Sequence, residues 1–175
     1  EFERFHQHPE NERFMPWLDM APVINTSVSR DATGEMLGFN GVVTWLYYRD
    51  VLGMQGFYGE KLGLDLVADQ GWTKIYRLSA TNFIGLVDEA RGMHDFTEDK
   101  AVTLSFLLDN VQGWFDYVQE KGTFPLRSEQ LEKEPSGKYE AFVGYDPAGY
   151  YMEFDRFLEH PANEQFSPLL SASEY

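Results

Sequence analysis

Any chemistry in this chain must come from histidines, carboxylates and hydroxyls, because the sequence has no cysteine. Disulfides, thiolate metal sites and a cysteine nucleophile are thereby excluded. Four histidines are present, His6, His8, His94 and His160. His8 and His160 each open a His-Pro-x-Asn-Glu run, which reads as a turn before a short helix capped by Asn11 or Asn163. His6 has no such twin, and His94 lies in the polar stretch from Glu89 to Lys100, where an exposed loop is expected. Paired carboxylates such as Asp88-Glu89 and Glu98-Asp99 abound, and in a chain this acidic a solvated face explains them. No Gly-x-Ser-x-Gly elbow, phosphate-cradling glycine loop or dinucleotide fingerprint occurs.

Charge narrows the partners. With 29 acidic against 14 basic residues, the formal net charge is −15. Such a surface repels phosphate backbones and anionic lipid, so neither nucleic acid nor membrane is an expected partner. No run approaches the roughly 18–20 uninterrupted apolar residues of a membrane helix, and no signal-peptide pattern is seen. The sequence begins at Glu1 without a methionine, consistent with loss of an earlier piece. Location stays open, with the cytoplasm as the default. The 175 residues, 43% hydrophobic and 16% aromatic, suffice for one domain with a sizeable core.

The two ends of the chain repeat each other. Residues 1–18, EFERFHQHPENERFMPWL, match residues 153–170, EFDRFLEHPANEQFSPLL, at eleven identical positions of eighteen. A capping peptide used twice in one domain would produce this. The preferred reading is a tandem protein with a repeat of 152 residues, a usual domain size, of whose first unit residues 1–18 are the tail. Residues 19–40 then form a linker, residues 41–158 the module and residues 159–175 a C-terminal tail.

The module reads as two similar halves. In the first, the run Val42–Tyr48 suits a strand, and Asp50 can cap a helix from Val51 to Leu62 that Gly63 ends. Strands are expected at Leu64–Ala68, Thr73–Ser79 and Asn82–Asp88. The second half has a strand at Ala101–Leu108, then a helix at Val111–Lys121 capped by Asp109 or Asn110 and ended by Gly122. Further strands fit Arg127–Leu131, Tyr139–Tyr145 and Tyr150–Phe157. A helix followed by consecutive strands in each half points to α+β.

Three segments carry a family likeness: Asp50 through Phe57-Tyr58 to Leu62-Gly63, Asp109-Asn110-Val111 through Lys121-Gly122, and Asp146-Pro147-Ala148-Gly149 running into Glu153. In this order the chain resembles the vicinal-oxygen-chelate superfamily, which includes glyoxalases, bleomycin-resistance proteins and extradiol dioxygenases. The resemblance implies two βαβββ halves forming a curled mixed sheet around a central cleft. In the family's enzymes a divalent metal held by one residue from each of four strands acts as a Lewis acid. Carried over, those positions fall at or near Val43, Gly85, Thr103 and Glu153. Only Glu153 is a good ligand, and one carboxylate does not hold a divalent ion against water. No metal or other cofactor is therefore expected. The alternative is a divalent metal at Glu153 with help from Glu89 or Asp88 after a slip in register.

Alternation puts Val43, Trp45 and Tyr47 on one face of the first strand. Family parity implies that they line the cleft with Thr103, Ser105, Leu107, Tyr151 and Glu153. Such a pocket suits a small aromatic or apolar molecule, with a homodimer or neighbouring repeat unit as a further partner. Glu153 is also the candidate catalytic residue, because burial would raise its pKa and fit it for acid–base work. A lyase or isomerase, a ring-cleaving dioxygenase and a structural module with a filled cleft are the alternatives. Residues Glu129 to Lys138 form a candidate flap, with an ordinary hairpin as the plainer expectation.

Overall fold

The computed structural model describes residues 41–171 together with Pro9. The expected tail at residues 1–18 and linker at residues 19–40 otherwise lie outside the described residues, as do His6 and His8. The chain divides into two compact units, the first running to Phe96 and the second beginning at Thr97. Among the described residues no helix is long and apolar enough to cross a membrane.

The first unit starts with strand β1 (Val42–Tyr48), followed by helix α1 (Val51–Gln55), which widens into a π-helical turn over Gly56–Lys61. Strands β2 (Asp65–Asp69), β3 (Thr73–Arg77) and β4 (Asn82–Asp88) complete it. They form a mixed sheet in the order β1-β4-β3-β2, with β1 parallel to β4 and the other pairs antiparallel. Asp50 caps α1 as expected, accepting from the Gly53 amide at 2.8 Å. The sequence led to an ordinary helix up to Leu62, but Leu62 donates to the Phe57 carbonyl, five residues back. The wider turn lets the adjacent Phe57 and Tyr58 both be buried, and Gly53, Gly56 and Gly59 leave the backbone free to make it. Under the helix, Tyr48 and Tyr58 share a buried hydroxyl hydrogen bond of 2.9 Å.

The second unit repeats the plan with β5 (Thr103–Leu107), α2 (Val111–Lys121), β6 (Glu132–Lys133), β7 (Tyr139–Tyr145) and β8 (Tyr151–Phe157), its sheet ordered β5-β8-β7-β6. The cap of α2 is Asn110 and not Asp109; its side chain accepts from the Gly113 amide at 2.9 Å. Gly122 ends the helix in the left-handed region at φ +58, a conformation that costs glycine little. Phe154 anchors the core, stacked on Phe142 at 4.7 Å and on Phe124 at 5.5 Å, with Trp114 of α2 at 5.7 Å.

One strand was misread. Residues 127–131 form no strand; only Leu126 bridges Gly144, and pairing resumes where Glu132 meets Ala141. Six steps on one side therefore oppose three on the other. The excess is taken up in a turn in which the Ser128 hydroxyl donates to the Gln130 carbonyl at 3.0 Å, a local bond that competes with the ladder. Residues 132–145 are the plain hairpin β6–β7.

After β8 comes a 3₁₀ turn, Pro161–Asn163, and a short helix α3 (Ser167–Ser171). Asn163 was expected to cap this tail, but His160 does so, its Nδ1 accepting from the Ala162 amide at 3.0 Å. Asn163 is buried and donates to the carbonyls of Lys138 at 2.7 Å and Leu158 at 2.9 Å. Phe166 packs edge-on against Phe157 at 5.0 Å. The repeated residues of the tail therefore pin it to the end of β8 and the start of β7.

Candidate functional site

Register decides which side chains meet on each sheet. In the first unit, the face turned away from α1 carries Val43, Trp45 and Tyr47 from β1, beside Phe83, Gly85 and Val87 from β4. This face is packed. Val67, Ala68, Ile75 and Phe83 form a buried cluster, with Val43 and Trp45 against it. Trp45 is paired with Gly85, and a Cβ on that glycine would lie 2.0 Å from Trp45 Cε3. The indole thus fills the space that a side chain at position 85 would need. The loop after β4 closes over Tyr47, with Gly92 against its ring and His94 edge-on at 5.1 Å. The two acidic residues of the metal alternative serve that loop. Asp88 accepts from the Ala90 amide at 2.9 Å, and Glu89 accepts from the Phe96 amide at 2.7 Å and faces Arg49.

The second sheet differs. Its β8 turns Met152 and Phe154 toward α2, and Tyr151, Glu153 and Asp155 to the opposite face. On that face Thr103 pairs with Tyr151, Ser105 with Glu153 and Leu107 with Asp155. On the other side of β8, Tyr145 pairs with Tyr151, Val143 with Glu153 and Ala141 with Asp155. Val143 and Ala141 are small, and a cavity of about 340 Å³ opens here, lined by them together with Tyr139, Tyr151, Glu153, Arg127 and the hairpin residues Glu132 to Pro135. Arg127 sits beside Val143, its amide donating to the Val143 carbonyl at 3.0 Å, and its guanidinium donates to the Tyr151 hydroxyl at 3.3 Å.

Two carboxyls stand side by side on β8. Burial raises the Glu153 pKa above its usual value, and the Asp155 charge adds to the rise. Burial also raises Asp155, while the hydrogen bond from the Ser105 hydroxyl works the other way. A carboxyl held in this state can accept or give a proton, or balance a cation.

The eight residues expected from the sequence are thus divided. Tyr151 and Glu153 line the cavity, Ser105 holds Asp155, Thr103 and the 41%-exposed Leu107 lie along edge strand β5, and Val43, Trp45 and Tyr47 are packed within the first unit. Sequence reasoning missed Asp155, Val143, Ala141, Tyr139 and Arg127. Alternation along the strands at 139–145 and 150–157 would have given the first four. Arg127 had no such signal, because its segment was misread as a strand.

Among the solved structures that resemble the chain are three with related descriptions. A lactoylglutathione lyase from Agrobacterium tumefaciens matches with a TM-score of 0.53 at 20% identity, over 65% of this chain and 90% of that one. A glyoxalase/bleomycin resistance protein/dioxygenase from Nocardioides gives 0.57 at 16%, over 67% and 82%. Another so described from Alicyclobacillus acidocaldarius gives 0.53 at 15%, over 68% and 92%. The chain has the vicinal-oxygen-chelate fold. No family model and no curated protein matches the sequence.

Within a vicinal-oxygen-chelate fold, the side chains at the carried-over metal positions decide whether an ion fits. Valine at 43 and glycine at 85 offer no donor, Thr103 offers a neutral hydroxyl, and only Glu153 offers a carboxylate. Among the described residues no three His, Cys, Asp or Glu side chains gather as a metal site requires.

Proposed function

We propose that this vicinal-oxygen-chelate module binds a small organic molecule on the second sheet without a metal ion. The observation that carries the reading is the cavity over Val143 and Ala141, with Glu153 on its wall. Its volume of about 340 Å³ falls within the roughly 300–1,000 Å³ of small-molecule sites. Tyr139 and Tyr151 supply ring faces for a flat ligand, and few polar groups orient it. The positions that would hold an ion in catalytic relatives instead carry Val43, Gly85 and Thr103.

Ligand-observed NMR of the full chain with small aromatic compounds, in excess chelator, tests this. Binding that persists and is lost on Val143→Trp, which fills the cavity, supports the proposal. Elemental analysis that finds a stoichiometric transition ion, released by Glu153→Ala, overturns it.

A second reading is catalysis, as a lyase, isomerase or ring-cleaving dioxygenase. It is favoured by the upward-shifted Glu153 carboxyl beside Asp155, a pairing suited to proton transfer. Turnover of a candidate substrate that survives Glu153→Gln would remove that support.

A further inference from the structure

The cavity wall carries two opposite charges that do not meet. Arg127 lies beside Val143 on one side and Glu153 is paired with Val143 on the other. Arg127 forms no ion pair among the described residues; its guanidinium donates to the neutral Tyr151 hydroxyl. What sets it apart is its place on the cavity wall, beside Tyr151. Arg49, Lys74, Arg77, Lys121 and Arg156 each face a carboxylate within 4.0 Å. Glu153, for its part, has no hydrogen-bond or ion-pair partner among the described residues, although it is only half exposed.

We propose that the ligand is a small amphoteric molecule whose carboxylate is held by Arg127 and whose ammonium faces Glu153 across Val143. Planar guanidinium is the side chain best matched to a carboxylate. A cation next to Glu153 would offset the desolvation of its carboxylate. The two residues flank β7, and their side chains line the same cavity. Tyr139 and Tyr151 lie on the same face to pack against the ligand. Glu132, paired with Ala141, stands on the Arg127 side of β7 and so selects against ligands carrying a second negative charge.

This inference rests on the cavity being the binding site, and the test separates the two. The probe is 4-(aminomethyl)benzoate, a ring with the two charges at opposite ends, compared with benzoate and benzylamine in calorimetric titrations of the full chain at neutral pH. The zwitterion is expected to bind about tenfold more tightly than either half-molecule. Arg127→Gln should reduce it to the level of benzylamine, and Glu153→Gln to that of benzoate. Arg127→Lys should retain part of the gain. Arg127 is exposed, so its variants are expected to fold, and thermal melts check this. If the zwitterion binds no better than benzylamine, or Arg127→Gln weakens benzoate and benzylamine equally, the ligand class is wrong although the cavity binds. If none of the three compounds binds, the cavity reading fails with it.

Discussion

The indole of Trp45 stands where a side chain on Gly85 would have to go, with a built Cβ falling 2.0 Å from the ring. The two residues face each other across the parallel pair β1 and β4, so a larger residue at 85 would have to displace the ring. In the second unit the corresponding pair is Ser105 and Glu153, a small residue facing a long one. The large and small members have exchanged strands between the two units. That exchange leaves the first unit packed where the second keeps a carboxylate.

Gly85→Ala is therefore expected to destabilise the protein by about 1–3 kcal/mol, the usual cost of overfilling a packed site. Trp45→Ala should remove most of that penalty. Urea unfolding of the two single variants and the double variant would show a coupling of at least about 0.5 kcal/mol. Strictly additive effects would mean that the ring does not occupy that space.

The carboxyls of Glu153 and Asp155 predict a pH dependence. Both are raised by burial, so the folded chain holds these protons more tightly than the unfolded one. Their contribution to stability is fully present below the ordinary values of 4.5 and 3.8, and is lost as pH rises through the folded values. Asp155→Asn keeps an acceptor for the Ser105 hydroxyl and removes the titration. The variant should be more stable than the parent at neutral pH, and the advantage should close below about pH 4. Thermal melts across pH measure it; an advantage independent of pH would point to another cause.

Asp69 should behave in the opposite sense. Burial alone would raise its pKa, but the hydrogen bond from Lys74, the Gly71 amide and the Lys74 charge together lower it. Its stabilisation is therefore present above the usual value of 3.8 and is lost as pH falls through the folded one. Lys74 is only 3% exposed. Asp69→Asn leaves its ammonium without its partner and should cost about 1–3 kcal/mol, below the full cost of a buried pair because Asp69 is partly in water. Lys74→Met should cost less, as denaturant midpoints would show.

Asn163→Ala removes two hydrogen bonds from one buried amide and leaves the carbonyls of Lys138 and Leu158 to find water. A loss of about 1–3 kcal/mol is expected. Hydrogen exchange should quicken at Leu158, whose amide bonds the Lys138 carbonyl at 2.9 Å. Unchanged protection there would argue that the tail is held by Phe166 alone.

Much of the scaffold could be read from patterns that are local in the chain. β1, β4, α2 and β7 have the expected bounds, because each is a run of apolar or amphipathic residues closed by a cap or a glycine. The segment at residues 127–131 could not be read so. Its alternation suits a strand, yet Ser128 bonds within a turn, and the slip depends on where β7 lies. The site was half legible for the same reason. Family parity put Tyr151 and Glu153 on one face, but the packing of Trp45 over Gly85 is a matter of volume between strands far apart in sequence. The repeat showed that the tail residues matter, while only the contacts of Asn163 show what they hold.

The slip between Leu126 and Glu132 separates two jobs that a regular sheet would join. The surplus residues stand outside the ladder, so the rim bearing Arg127 can be lengthened, shortened or recharged while β7 and β8 keep their partners. Selectivity for the proposed ligand would then drift like an interchangeable jaw, with the frame that grips the jaw left as it was.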